Sequence, residues 1–248
     1  MKSLQGVATK LSVICALLVV CSMMANVRAQ TQPEPKFPRG FAGSPEFSTT
    51  EGRQSAGTAF LAKIPGGKKA YLLTVRHLLG PDGGFKELTP QEKVPSFVKS
   101  IRLKALGSNA GKNFQVKGLT VPPETDSKEP LFDLAIFEVA GTFPSDAAEL
   151  AAEKPALGEA VWVIAGVRGG VPKGQFVHPA KVIENGDRWL VCEFDNPDIV
   201  TNGASGAPVL NAAGQVVGIY SGHGVNAGKV TAFAIPTPMI LQVIQNQK

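Results

Sequence analysis

The sequence predicts an all-β protein built as a sandwich or barrel. Eleven short runs of β-forming residues alternate with turn signals such as Asp82-Gly83-Gly84 and Asn185-Gly186. The 248 residues include 27 glycines and 19 prolines, which disfavours a helix bundle because these residues destabilise helix interiors. Apolar residues make up 44% of the chain, enough for a core, and this excludes a disordered protein.

The N-terminus has the composition of an export signal. Two lysines border the start of an apolar stretch of about 15 residues that ends at Val27-Arg28-Ala29, a spacing that signal peptidase recognises. Residues 1–29 are therefore predicted to be a signal peptide, cleaved on export to the periplasm or out of the cell. An uncleaved anchor is less favoured, since about 20 apolar residues are needed to cross a bilayer. Lipidation at Cys21 is also less favoured, because Val20 stands where a small residue is expected.

Cleavage would change the charge balance of the protein. It would remove three basic residues and no acidic one, leaving 22 Lys and Arg against 20 Asp and Glu. A chain this close to neutral, without a basic run interleaved with aromatics, is not expected to bind nucleic acid. Stable membrane insertion is not expected after cleavage either, and nothing in the sequence predicts an oligomeric state. Cys192 would be the only remaining cysteine and is predicted to be a buried apolar residue.

The remaining chain is predicted to divide into two β units. Residues 30–47 contain four prolines and are predicted to form an extended tether. A first unit over 48–144 and a second over 155–236 are separated by a polar, helix-forming linker, 145–154. Apolar residues at helical spacing predict a C-terminal helix over 237–248. The predicted strands are Thr58–Ile64, Ala70–Val75, Phe97–Leu106, Phe114–Thr120, Leu131–Val139, Ala160–Val167, Gln175–Ile183, Arg188–Phe194, Ala207–Leu210, Gln215–Tyr220 and Lys229–Ile235.

Three residues could act together as a nucleophile with its base. His77 ends an apolar strand, and Asp133 opens another. Ser205 lies in a loop rich in glycine and alanine, which can point backbone N–H groups around the hydroxyl. A serine hydroxyl needs a histidine to accept its proton, and the histidine needs a carboxylate to fix its tautomer. The order His, Asp, Ser excludes the α/β-hydrolase and subtilisin orders and fits the chymotrypsin-like order.

A metal site is not predicted. Of the three histidines, no two are spaced as a ligand pair, and none neighbours Cys192. His178 is predicted to be an ordinary strand residue, whereas His223 could line a groove or lie in a plain loop. No cofactor is expected.

Five segments, in order along the chain, resemble those of the trypsin-like serine peptidases: Gly57–Leu61, Leu72–His77, Asp133–Phe137, Gly203–Asn211 and Val217–Gly222. The resemblance is closest to the bacterial HtrA-like branch and spans roughly residues 55–245. No PDZ domain is expected, since the sequence ends at Lys248. The resemblance implies two six-stranded antiparallel β-barrels with the active site in the cleft between them.

Transferred by position, the resemblance also implies a role for each site residue. His77 would be the general base, Asp133 its orienting partner and Ser205 the nucleophile. The N–H groups of Gly203 and Ser205 would form the oxyanion hole. Ser221 would hydrogen-bond the aspartate, and it would lie with Tyr220 and Gly222 on the strand that pairs with substrate. Ile199 would form the base of a specificity pocket suited to medium apolar side chains, with His223 nearby.

The sequence therefore predicts an exported serine endopeptidase that cleaves protein or peptide substrates through an acyl-enzyme. Arg76, Ala204 and Ala207 depart from the family pattern and favour an alternative, a weakly active or inactive module of this fold that binds peptides. Ala204 replaces the aspartate of the animal digestive members, so activation by proteolytic cleavage is not expected. A non-proteolytic esterase is a third, less favoured alternative.

Overall fold

A computed structural model describes residues 33–122, 128–140 and 146–247 of the chain. The predicted signal peptide, 1–29, lies outside these ranges. The strands of the first half are β1 (Ala42–Thr49), β2 (Gly52–Ser55), β3 (Ala59–Lys63), β4 (Ala70–Val75), β5 (Val98–Ala105), β6 (Gly111–Gly118), β7 (Leu134–Val139) and β8 (Ala148–Glu149). Those of the second half are β9 (Ala160–Ile164), β10 (Val177–Asn185), β11 (Leu190–Phe194), β12 (Pro208–Leu210), β13 (Val216–Asn226) and β14 (Lys229–Pro236). Two helices are described, α1 (Val94–Phe97) and α2 (Thr237–Gln245).

The strands close into two six-stranded antiparallel barrels, as predicted. In the first barrel the order is β1-β5-β6-β7-β4-β3, and pairing of β3 with β1 closes it. In the second barrel the order is β10-β11-β14-β13-β12-β9, closed by pairing of β9 with β10. Closure leaves few free strand edges, which suits a protein made of many short strands. The predicted fold class and C-terminal helix are therefore confirmed.

Burial along the strands explains their positions. In β5, Val98, Ile101 and Leu103 face the core while Lys99 and Arg102 are exposed, an alternation typical of a strand with one solvated face. Every residue of β4 is buried, because this strand packs in the first barrel and also contacts β13 of the second. His77 follows directly after β4, so the site begins at the packed junction of the two barrels.

Two segments outside the predicted β units take part in strand pairing. Residues 42–47 belong to β1 rather than to a tether, because Phe47 is buried in the core and the strand pairs with β5. Within the predicted linker, whose residues favour a helix, β8 pairs in parallel with β3. Leu150 then bridges to Val216 of β13. Burial of Ala147, Ala148, Leu150 and Ala151 between the barrels outweighs the helix propensity of this segment.

The C-terminal helix α2 docks through one apolar face. Ile240, Leu241, Val243 and Ile244 are buried against the core, while the residue before the helix, Pro236, lies in an extended conformation that sets its start. Among the described residues, every helix is too short or too polar to span a bilayer.

Candidate active site

His77 and Asp133 are held together by the pairing of the strands beside them. A 3₁₀ turn, Arg76–Leu79, follows β4, and a second 3₁₀ turn, Pro130–Asp133, precedes β7. Val75 of β4 pairs with Leu134 of β7, which brings the two turns side by side. The antiparallel pairing of β4 with β7 thus brings together His77 and Asp133, which are 56 residues apart in the sequence.

Three groups donate hydrogen bonds to the carboxylate of Asp133. The backbone N–H of His77 donates to Oδ1 at 2.9 Å, and His77 Nδ1 donates to Oδ2 at 2.9 Å. The hydroxyl of Ser221 donates to Oδ2 at 2.5 Å. With Nδ1 protonated, the neutral imidazole carries its lone pair on Nε2, as a general base requires.

The local charges raise the pKa of His77 above its ordinary value of 6.5. Burial by itself would lower this pKa, because it disfavours the imidazolium. The hydrogen bond to Asp133, the charge of Asp133 and the charge of Asp82 outweigh burial. The two carboxylates therefore favour the protonated form of His77.

Ser221 is aimed at Asp133 by a β-bulge. Tyr220 pairs with Ala234 and Gly222 with Phe233, so Ser221 is an extra residue on β13. A bulge turns its side chain away from the regular alternation, and here it directs the hydroxyl to the carboxylate.

The loop that carries Ser205 requires glycine at two positions. Gly203 has φ +98° and Gly206 has φ +84°, values that L side chains rarely adopt. A Cβ on Gly206 would also lie 2.1 Å from the carbonyl oxygen of Thr58. The prediction of a tight turn around Ser205 rested on these glycines, and the backbone has that form.

In this loop, the N–H groups of Gly203 and Ser205 are among those with no acceptor in the described part of the chain. Their neighbours are bonded, since Ala204 N donates to Thr201, Gly206 N to Tyr220 and Ala207 N to Ala204. The loop is therefore organised to leave two donors free next to the serine hydroxyl. That arrangement matches what an oxyanion needs.

Thr58 connects the nucleophile loop to the first barrel. Its hydroxyl donates to the carbonyl oxygen of Gly203 at 2.8 Å, and its N–H donates to that of Ser205 at 2.8 Å. Its own carbonyl accepts from Thr74 Oγ1 at 2.7 Å. Thr58 was not selected from the sequence, although this residue lies in the Gly57–Leu61 segment. A buried threonine next to the start of a strand does not indicate that it bonds to Gly203, 145 residues away.

A cleft of about 590 Å³ contains both His77 and Ser205. In the part of the chain that the structure describes, no residue donates to or accepts from the Ser205 hydroxyl. The residues lining the cleft are Gln54, Ser55, Ala56, Gly57, His77, Leu78, Pro81, Asp82, Gly83, Gly84, Arg168, Thr201, Asn202, Gly203, Ser205, Tyr220, Gly222 and His223. A larger cavity of about 780 Å³, which Phe37 and Phe176 help to line, holds none of the candidate triad.

Ile199, a predicted site residue, is not among the residues that line this cleft. It packs in the apolar core of the second barrel, and Thr201 and Tyr220 line the cleft in its place. That Ile199 forms the base of a specificity pocket stays a prediction. His223 lines the cleft and belongs to β13 rather than to a loop.

The remaining polar and reactive candidates have structural positions. His178 is buried and donates from Nε2 to the carbonyl of Ala165, and burial lowers its pKa. Burial raises the pKa of Cys192 to about 12, so this thiol is not a nucleophile. Within the described ranges, no three His, Cys, Asp or Glu side chains cluster as metal ligands would.

Comparisons with known proteins agree with this geometry. A family model described as "Trypsin-like peptidase domain" matches residues 57–219. Among solved structures, the chain is similar to a serine endoprotease from Yersinia pestis, with 18% identity, a TM-score of 0.54, and coverage of 84% of this chain and 62% of that one. It is also similar to the HtrA-type protease AlgW with a decapeptide, with 18% identity, a TM-score of 0.53, and coverage of 84% and 64%. Identities this low show the fold alone.

The chain spans about three fifths of the length of the first of these proteases. No curated protein matches the sequence. The predicted resemblance is confirmed at the level of the trypsin-like peptidase family and of its fold.

Proposed function

The chain belongs to the trypsin-like peptidase family, and we propose that it is an exported serine endopeptidase that cleaves peptide bonds through an acyl-enzyme. The observation that carries this proposal is the chain of hydrogen bonds from Ser221 through Asp133 to His77, which opens on the cleft shared with Ser205. Such a chain is needed to activate a serine hydroxyl.

In the first step, Ser205 Oγ attacks the scissile carbonyl carbon while His77 Nε2 takes the hydroxyl proton. The imidazolium that forms is stabilised by Asp133 through Nδ1–H. The carbonyl oxygen becomes an oxyanion, which the free N–H groups of Gly203 and Ser205 bind. Collapse of the tetrahedral intermediate breaks the C–N bond, and His77 passes its proton to the leaving amine.

In the second step, water replaces the amine. His77 takes a proton from this water as it attacks the acyl carbon, and a second oxyanion forms in the same place. Its collapse returns the proton to Ser205 and releases the carboxylic acid product. Each step needs His77 to alternate between neutral and protonated forms, and a pKa held above 6.5 by Asp133 suits that alternation.

Substrate would bind as an extended strand. The backbone of Tyr220 still bonds to Gly206 and Ala207. After Tyr220, β13 pairs only with β14 among the described strands, so its second edge is open beside the cleft. Gly222 and His223 line this edge. A peptide could add there as a further strand, which favours unfolded protein or peptide as the substrate class.

Export rests on the sequence pattern of residues 1–29, whose net positive charge and apolar stretch are typical of a signal peptide. Mass spectrometry of the secreted or periplasmic protein tests this. A mature N-terminus at Gln30 is expected, and an intact Met1 on the exported protein would contradict it.

A fluorophosphonate probe tests the catalytic proposal. The wild-type protein should label, Ser205→Ala should not label at all, and His77→Ala should label very slowly. Cleavage-site profiling on a denatured proteome then reports turnover and side-chain preference together. Peptide binding without any labelling of folded protein would support the inactive binding module instead, and cleavage of small esters alone would support the esterase.

A further inference from the structure

Arg76 is a buried cation directly before the candidate base. Only 5% of its surface is exposed, whereas arginine is rarely buried without an ionic partner. No carboxylate lies within salt-bridge distance of its guanidinium among the described residues. Burying a cation in this way is costly, so its retention here requires an explanation.

The guanidinium is held by backbone carbonyls instead. Nε donates to the carbonyl of Phe132 at 2.7 Å, and Nη1 donates to that of Thr89 at 3.3 Å. The guanidinium carbon also lies 4.1 Å from the ring centre of Phe132. Phe132 immediately precedes Asp133 in the Pro130–Asp133 turn. Arg76 therefore joins the turn that carries His77 to the turn that carries Asp133.

The charge of Arg76 also acts on the site. Asp133 and Glu92 attract it, and this attraction opposes the lowering of the Arg76 pKa by burial. His77 is faced by Asp133 and, more weakly, by Asp82, both of which favour the imidazolium. A cation one residue away from His77 has the opposite effect on that proton equilibrium.

We propose that Arg76 is a positioning residue of the peptidase site: its guanidinium locks the two turns together so that Asp133 meets His77, and its charge limits protonation of the base. This inference rests on the proposed function. Arg76 departs from the family pattern but is then a functional part of this site. Its guanidinium bonds to Phe132 rather than to the imidazole.

Two substitutions separate the two parts of the role. Arg76→Lys keeps the charge but cannot reproduce the forked hydrogen bonds, and Arg76→Met removes both. Arg102→Met is the matched control, since Arg102 is exposed on β5 and does not line the cleft. The measurements are kcat and KM on a fluorogenic peptide across pH, the melting temperature, and the low-field proton resonance of the His77–Asp133 hydrogen bond.

Both Arg76 variants should lose roughly 10- to 100-fold in kcat with KM within about twofold of wild type, because misplacing catalytic groups affects the chemical step. The acidic limb of the kcat–pH profile should lie about half a pH unit higher for Arg76→Met than for Arg76→Lys, since only lysine keeps a cation next to the site. The low-field resonance should weaken or shift in both. A kcat equal to that of Arg102→Met overturns the positioning role, whatever the melting temperature. Coincident acidic limbs overturn the electrostatic part.

If Arg76→Met does not fold, Arg76→Lys alone decides the positioning role through kcat and the resonance. The low-field resonance does not depend on turnover, so it can be compared in a Ser205→Ala background. Failure of the wild type to react with the fluorophosphonate would sink the proposed function, whereas normal labelling of both Arg76 variants would sink only this inference.

Discussion

Replacing Thr58 by valine removes one hydrogen bond from the nucleophile loop and little else. The side chain is 1% exposed, and valine keeps its shape and both backbone hydrogen bonds. The carbonyl of Gly203 loses a donor at 2.8 Å. Leaving a buried acceptor unpaired costs about 1 to 2 kcal/mol. If this cost falls on the transition state, reaction at Ser205 slows by about 5- to 30-fold.

The assay is the second-order rate of fluorophosphonate labelling, measured beside the melting temperature. Thr58→Ser is the matched control, because it keeps the hydroxyl and loses only a methyl group. Thr74→Val is a second control, since it removes a bond of similar length to the Thr58 carbonyl without touching Gly203. Thr58→Val should label most slowly of the three. Equal labelling rates for Thr58→Val and Thr58→Ser would refute the argument that this hydroxyl organises the oxyanion loop.

Three further outcomes are expected. Asp133→Asn should lower kcat/KM by about 10³- to 10⁴-fold and move the acidic limb to lower pH, since the interaction that raises the pKa of His77 is lost; an unmoved limb would contradict their pairing. In urea unfolding, Gly206→Ala should lower the free energy of unfolding by about 2 to 3 kcal/mol more than Gly174→Ala does. Both glycines have φ near +85°, but only Gly206 lacks room for a Cβ. Equal losses of stability in the two variants would remove the steric argument. Burial lowers the pKa of His178. Its neutral form therefore stabilises the fold fully above pH 6.5, and this contribution falls as the pH drops below that value. The melting temperature should depend less on pH between 8 and 5 in His178→Gln than in the wild type, and identical profiles would contradict this role of His178.

The sequence located most strands because their signal is local. Runs such as Ala70–Val75 and Lys229–Ile235 match the observed strands to within a residue. It failed where a local signal opposed the tertiary environment. The strand β1 was not predicted because its segment is rich in proline, although Pro45 pairs with Leu103 in the sheet. Alanines favoured a helix over 145–154, although burial between two barrels makes the described part of that segment extended.

The residues of the site also differ in how far the sequence identifies them. His77, Asp133 and Ser205 could be selected from the sequence because their chemistry depends on residue type and on order along the chain. Ser221, whose hydroxyl bonds a carboxylate 88 residues away, was predicted only through the family resemblance, and Thr58, which bonds a carbonyl 145 residues away, was not predicted at all. The pattern of residues that carries such contacts is no different from that of ordinary buried polar side chains.

The sequence by itself determined the class of fold, the family and the candidate reactive side chains, since strand periodicity, turn residues and motif order can all be read along the chain. Only the tertiary structure decided which groups meet: that Arg76 turns to Phe132, that Ile199 enters the core while Thr201 and Tyr220 line the cleft, and that two N–H groups stay free. These are consequences of closing two barrels and packing them together, and barrel closure sets distances that no local pattern contains.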